Sequence, residues 1–211
     1  MSELNEIEKL KCIPTPLMSI FRGGCCSSNM VMQVSQIYNL ITGSELIGLT
    51  KYYREITKKP REKARMPLNR RWIRFSPCGV MRRDDDREPL LRSGLVMITF
   101  CHVYDIAATK ERLLNNPYRV ETLMMYAGRE NQVLHWLVVL PEVSRDMPEM
   151  YVQSQLQWLW DDFSLKPEGC YKNPMRTYHL AWDPDAYLDV KLLNSLAHKQ
   201  IKIGDFINQE S

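Results

Sequence analysis

The stretch "SGLVMITFCHVYD", residues 93 to 105, runs an apolar strand into Thr99, Cys101 and His102. A strand end carrying a hydroxyl, a thiol and an imidazole is where a site would form, yet it has none of the carboxylates that a hard divalent cation needs. His135 is the one ionisable group inside "VLHWLVVL", and a lone histidine in a central strand is either a satisfied core residue or a site residue. Basic residues crowd residues 51 to 74: Lys51, Arg54, Lys58, Lys59, Arg61, Lys63, Arg65, Arg70, Arg71 and Arg74 stand against only Glu55 and Glu62. Such a run is either a polyanion contact or a solvated helix end and loop. Directly after it, "RRDDDRE" groups Asp84, Asp85 and Asp86, a pattern expected of a solvated turn rather than a metal site. Asp161 and Asp162 read as charges at a helix end. Cys25, Cys26, Cys101, His102, Cys170 and His179 are zinc-ligand types, but the six cysteines include no C-x-x-C pair, so neither a metal nor another cofactor is expected.

These residues sit in a chain of 211 residues, 45% apolar and 25% charged, with a formal charge of +3. That balance describes an ordinary globular unit with room for a full core. The acidic, polar start and the shortness of every apolar run lead us to expect a soluble cytoplasmic protein with reduced thiols and no membrane partner.

The elements that must position the site follow from periodicity. Residues 1 to 27 read as an irregular leader with a short strand at Leu17 to Phe21. A helix capped near Ser28 and ending at Gly43, then a second from Ser44 to Thr57, are expected from apolar spacings of three and four. Short strands interrupted at Pro77 and Gly79 follow the basic loop. The second half predicts a strand at Gly94 to Cys101, a helix at Asp105 to Asn115, strands at Tyr118 to Tyr126 and Val133 to Leu140, a helix from Pro148 to Phe163 and a strand at Arg176 to Trp182. The expected class is α+β, with a ferredoxin/RRM-like split βαββαβ core at residues 93–190. Residues 1–92 form an N-terminal α/β extension packed on it, helical in part and carrying the basic segment, and residues 191–211 a C-terminal helix and tail, all in one globular unit.

Alternation on the first core strand places Leu95, Met97, Thr99 and Cys101 on one face and Val96, Ile98 and Phe100 on the other. His135 shares a face with Val133, Leu137 and Val139. With the first and third strands adjacent, Thr99, Cys101 and His135 should gather on the sheet face away from the helices. Trp136 should face the helices, and only one of Trp158 and Trp160 can point inward from their helix.

"MSIFR", "LTKYYRE", "SGLVMITF", "LHWLVVLP" and "RTYHLAWDPDAYL", in that order across roughly residues 17 to 190, resemble the primase-like domain at the N-terminus of virulence-associated protein E homologues. That domain belongs to the archaeo-eukaryotic primase-polymerase superfamily. The resemblance implies two metal-binding acids on the first strand, where this chain has Thr99 and Cys101. It implies a basic residue or histidine on the third strand that meets nucleotide phosphates, matched by His135, and an acid three residues before an arginine, matched by Asn173 and Arg176. The expectation is a degenerate domain without nucleotidyl transfer. It would bind single-stranded or duplex nucleic acid through Lys58, Lys59, Arg61, Lys63, Arg65, Arg70, Arg71, His135 and Arg176, as an accessory of a mobile element. The competing expectations are a protein-interaction or regulatory module and an active nucleotidyltransferase with displaced acids, such as Asp84 to Asp86 or Asp161 and Asp162.

Overall fold

The computed structural model describes residues 16–23, 25–28, 30–58, 72–84, 88–118, 120–144, 148–168 and 176–196. Within them lie ten strands: β1 Leu17–Arg22, β2 Met30–Gln33, β3 Ile73–Phe75, β4 Gly79–Val80, β5 Leu91–Arg92, β6 Leu95–Phe100, β7 Thr122–Ala127, β8 Leu134–Val139, β9 Tyr178–His179 and β10 Tyr187–Leu188. The helices are α1 Val34–Thr42, α2 Ile47–Thr57, α3 Ile106–Leu114 and α4 Pro148–Phe163, with a last helical stretch at 190–196. The chain is α+β, and its strands pair antiparallel in two four-stranded sheets and one two-stranded ribbon.

One sheet has the order β2-β1-β3-β9 and the other β10-β7-β8-β6. Strands β6 and β8 pair along their whole length, from Leu95 opposite Val139 to Phe100 opposite Leu134. Every residue of both strands is buried, because each face of this sheet meets its own core. Leu95, Met97, Leu137 and Val139 pack with Met18, Ile20 and Phe75 of the first sheet and with Val34, Ile37 and Ile41 of α1. Val96, Ile98, Phe100, Trp136 and Val138 pack with Leu113 of α3 and with Val152, Trp158, Leu159 and Phe163 of α4. The alternation read from the sequence therefore holds on both strands. A bulge between Thr122 and Met124 lets Leu123 and Met124 both join the first core, since an extra residue breaks strict alternation.

Three expectations are corrected. The residues after Ser28 do not begin a helix: Met30–Gln33 pairs with β1, Leu17 opposite Gln33 and Ile20 opposite Met30, and α1 starts only at Val34. "MVMQV" suits either period, and the free edge of β1 selects the extended form. The second helix begins at Ile47 rather than Ser44, after a turn. The segment 176–182 does not complete the sheet of β6: only Tyr178 and His179 are paired, with Phe75 and Arg74 of β3. The other sheet is extended instead by β10, through Tyr187 opposite Met125. Among the described residues the outer edge of β6 carries one bridge, Phe100 to Pro167.

Trp136 donates its indole N–H to Thr122 Oγ1 at 2.9 Å on the helix side. Trp158 is buried and Trp160 is 58% exposed. The ribbon of β4 and β5 begins at Gly79, opposite Arg92, where a φ of 139° and closeness to the Leu91 carbonyl leave no room for a side chain. No described helix is long and apolar enough to cross a membrane.

Candidate functional site

Where the two sheets diverge, a cleft of about 140 Å³ opens, lined by Thr99, Cys101, His135 and Arg176 together with Arg129, Glu130, Glu168, Thr177 and His179. Its position follows from alternation. Thr99 and His135 point from paired positions of β6 and β8 toward the first sheet, beyond the point where Leu95, Met97, Leu137 and Val139 fill the space. Strand β9 approaches from the opposite sheet and is fastened across the gap, with Tyr178 donating to the Met97 carbonyl at 3.4 Å and Tyr126 donating to the His179 carbonyl at 3.2 Å.

His135 Nδ1 and Thr99 Oγ1 are hydrogen-bonded at 2.8 Å. The imidazole lies 4.8 Å from the Tyr126 ring and edge-on to Tyr178. Burial, then the charges of Arg176 and Arg129, lower its pKa to about 3. His135 thus enters the cleft as a neutral hydrogen-bonding group, not as a cation. His179 is lowered to about 3 as well, by burial and then by Arg129, Arg74, His135 and Arg176. The backbone of Gly128 passes so near that a Cβ there would stand 2.7 Å from Val133 Cγ1 and 3.0 Å from His135 Nε2.

The positive charge of the cleft comes from arginines. Arg129 lies over the Tyr53 ring at 4.8 Å and the Trp72 ring at 5.6 Å, so its guanidinium is held in place by two aromatic faces. The turn that carries it is tied to α2: Arg54 donates to the Gly128 carbonyl at 2.8 Å, and Tyr53 donates to Glu130 Oε1 at 3.1 Å. Arg176 and Glu168 are 3.6 Å apart and each is nearly half exposed, an ion pair that water weakens. Glu168 is itself fixed by its N–H, which donates to the Thr99 carbonyl at 2.7 Å.

Five residues singled out in the sequence, Thr99, Cys101, His135, Arg176 and His179, are brought together here. Lys58 is not among them; it is exposed and paired with Glu55 at 2.8 Å. Lys59, Arg61, Lys63, Arg65, Arg70, Arg71, Asn173, Asp85 and Asp86 lie outside the described residues. Asp84 is not a solvated turn acid: it pairs with Arg74 at 2.6 Å, both side chains being largely covered. Asp161 accepts from Gln157 and Asp162 from Tyr118, on α4 and away from the cleft lining. Among the described residues no three His, Cys, Asp or Glu side chains form a group that could hold a metal ion.

Sequence reasoning missed Arg129, Glu130 and Glu168, and named His179 only as a zinc-ligand type. "AGREN" reads as a turn, and only the turn's docking on α2 shows that its Arg and Glu face the cleft. A second, more apolar groove of about 230 Å³ is lined by Leu156, Trp160, Leu165, Lys166 and Pro167. No family model, curated protein or solved structure matches this chain.

Proposed function

We propose that this chain is a degenerate nucleic-acid-binding domain of the primase-polymerase type. More particularly, we read it as a counterpart of the primase-like domain of virulence-associated protein E homologues that binds without transferring nucleotides. The observation that carries the reading is the convergence of Thr99, Cys101, His135 and Arg176, from distant parts of the sequence, on one cleft between two sheets. Those are the positions that the resemblance marks for metal and phosphate.

The donor set does not fit the pair of magnesium ions the family would use. At the two positions of β6 stand a hydroxyl and a thiol, and Thr99 is already engaged with His135. Magnesium favours carboxylate and water oxygens, and neutral ligands leave its charge uncompensated. The two carboxylates that do line the cleft stand beside positive or donor groups, Glu130 by Tyr53 and Glu168 by Arg176. With Arg129 and Arg176 both in its lining, the cleft suits a phosphate held electrostatically.

Titration of labelled single-stranded and duplex oligonucleotides at several salt concentrations tests the reading, with a primer-extension assay alongside. We expect saturable binding whose affinity falls steeply with salt, and no incorporation. Absence of binding at low salt overturns the nucleic-acid reading and turns attention to protein docking, with the groove beside Trp160 as the surface to probe. Incorporation by the wild type overturns inactivity.

A further inference from the structure

We propose that Tyr53 is the residue that keeps Arg129 available to an anion: its ring carries the guanidinium, while its hydroxyl holds the carboxylate of the neighbouring Glu130. The two opposite charges of one turn are thereby kept from neutralising each other. The inference rests on the nucleic-acid reading above and adds to it a positioning residue and the arginine on which that residue acts.

Two arginines and two glutamates line the cleft, and they are not arranged alike. Arg176 lies 3.6 Å from Glu168, so part of its charge is already met. Arg129 is half-buried and, among the described residues, makes neither a hydrogen bond nor an ion pair. Its contacts are with rings, Tyr53 at 4.8 Å and Trp72 at 5.6 Å, which themselves meet edge to face with centroids 5.3 Å apart. Cation–π contact fixes the charge in place without occupying the N–H donors that would meet an oxyanion. A partly covered guanidinium whose donors meet no acceptor of the described chain is suited to a phosphate oxygen.

Glu130 follows Arg129 in the sequence and lines the same cleft, so the nearest competitor for that charge is its own neighbour. The Tyr53 hydroxyl donates to Glu130 Oε1 at 3.1 Å. Burial raises the Tyr53 pKa, so the phenol stays protonated at neutral pH and remains a donor. The next residue of α2 holds the turn from both sides: Arg54 donates to the Gly128 carbonyl at 2.8 Å, and its own carbonyl accepts from Asn131 Nδ2 at 3.3 Å. Tyr53 is buried and is not itself part of the cleft lining, so it acts on a ligand only through the two charges it separates. Removing the hydroxyl releases a carboxylate oxygen toward the guanidinium, and a paired Arg129 counts one charge fewer against a phosphate.

The test follows fluorescence anisotropy across a salt series with the whole chain, using whichever of a labelled oligothymidylate and a mixed-sequence duplex the wild type binds more tightly. The variants are Y53F, R129Q, Y53F/R129Q and Y53F/E130Q. We expect Y53F to bind more weakly and to flatten the slope of log affinity against log salt by about 0.7 on a single strand or about 0.9 on a duplex, the share of one phosphate contact. R129Q should lose the same share, and Y53F should change the slope no further in its presence. E130Q should restore the slope in the Y53F background, a rescue that a merely structural role for the tyrosine would not give. E130D draws the carboxylate back from the hydroxyl by one methylene; it should act as Y53F does, and it serves in its place if a melting curve shows Y53F unfolded. A wild-type slope in Y53F, or a loss that E130Q does not restore, overturns this inference and leaves the nucleic-acid reading standing. A wild type that binds neither probe at low salt overturns both.

Discussion

The two cleft histidines are imidazoles kept neutral by their surroundings. In the folded chain His135 and His179 titrate near 3, whereas in the unfolded chain they should titrate near the ordinary value of about 6.5. Between those limits the unfolded state binds more protons, so stability present above about pH 6.5 is lost as pH falls toward 3. Thermal melts from neutral to acidic pH should show this slope, and it should be shallower in His135→Gln. The hydroxyl facing His135 is a separate test. Thr99→Val keeps the shape but leaves the imidazole without its 2.8 Å partner, and urea unfolding should report a loss of about 1–3 kcal/mol. At this scale the sequence was informative about Thr99, Cys101 and His135, because alternation alone decides which way a strand residue points. It was silent on Arg129, whose direction depends on the aromatic pair Tyr53 and Trp72 from another part of the chain.

Among the elements, α3 shows how a polar contact can fix a helix that has one apolar face. Lys110 is buried on it and donates to Asp183 Oδ2 at 2.8 Å and to the Asp185 carbonyl at 2.7 Å. Asp183 also accepts from the Ala127 N–H at the end of β7 and from the Asp185 N–H, so one carboxylate joins a helix, a strand and a turn. Asp183→Ala strands the lysine charge in a buried place, and chemical denaturation should show a loss of about 3–5 kcal/mol. The chain turns at Pro184 and Asp185 directly after Asp183, so Asp183 serves that turn as well as the helix and the strand. The long strands β6 and β8 were legible because six consecutive residues divide cleanly between two cores. Strand β9 falls inside the strand expected at Arg176 to Trp182 but is two residues long and joins the other sheet, and β10, also of two residues, was not expected, since so short a pairing is chosen by whichever sheet edge lies open. Periodicity says which side a residue faces and nothing about which sheet receives it.

For the molecule as a whole, the decisive fact is that the first core belongs to neither half of the sequence. Met18, Ile20, Val34, Ile37 and Phe75 from the N-terminal half meet Leu95, Met97, Leu137 and Val139 from the second. A fragment comprising residues 93–196 would expose that apolar face along β6 and β8. We expect it to lack the sharp thermal transition and dispersed amide spectrum of the whole chain, as circular dichroism and proton NMR would show. The separation into extension and core read from the sequence therefore names regions of one packing unit. The C-terminal segment adds a constraint in time. Its residues 178–179 close the edge of β3, and 187–188 close the edge of β7. Until residues 178–188 have been made, both edges stay open, and neither sheet can finish before then. A nascent chain that has not reached those residues must be kept from pairing its open edges with a neighbour's.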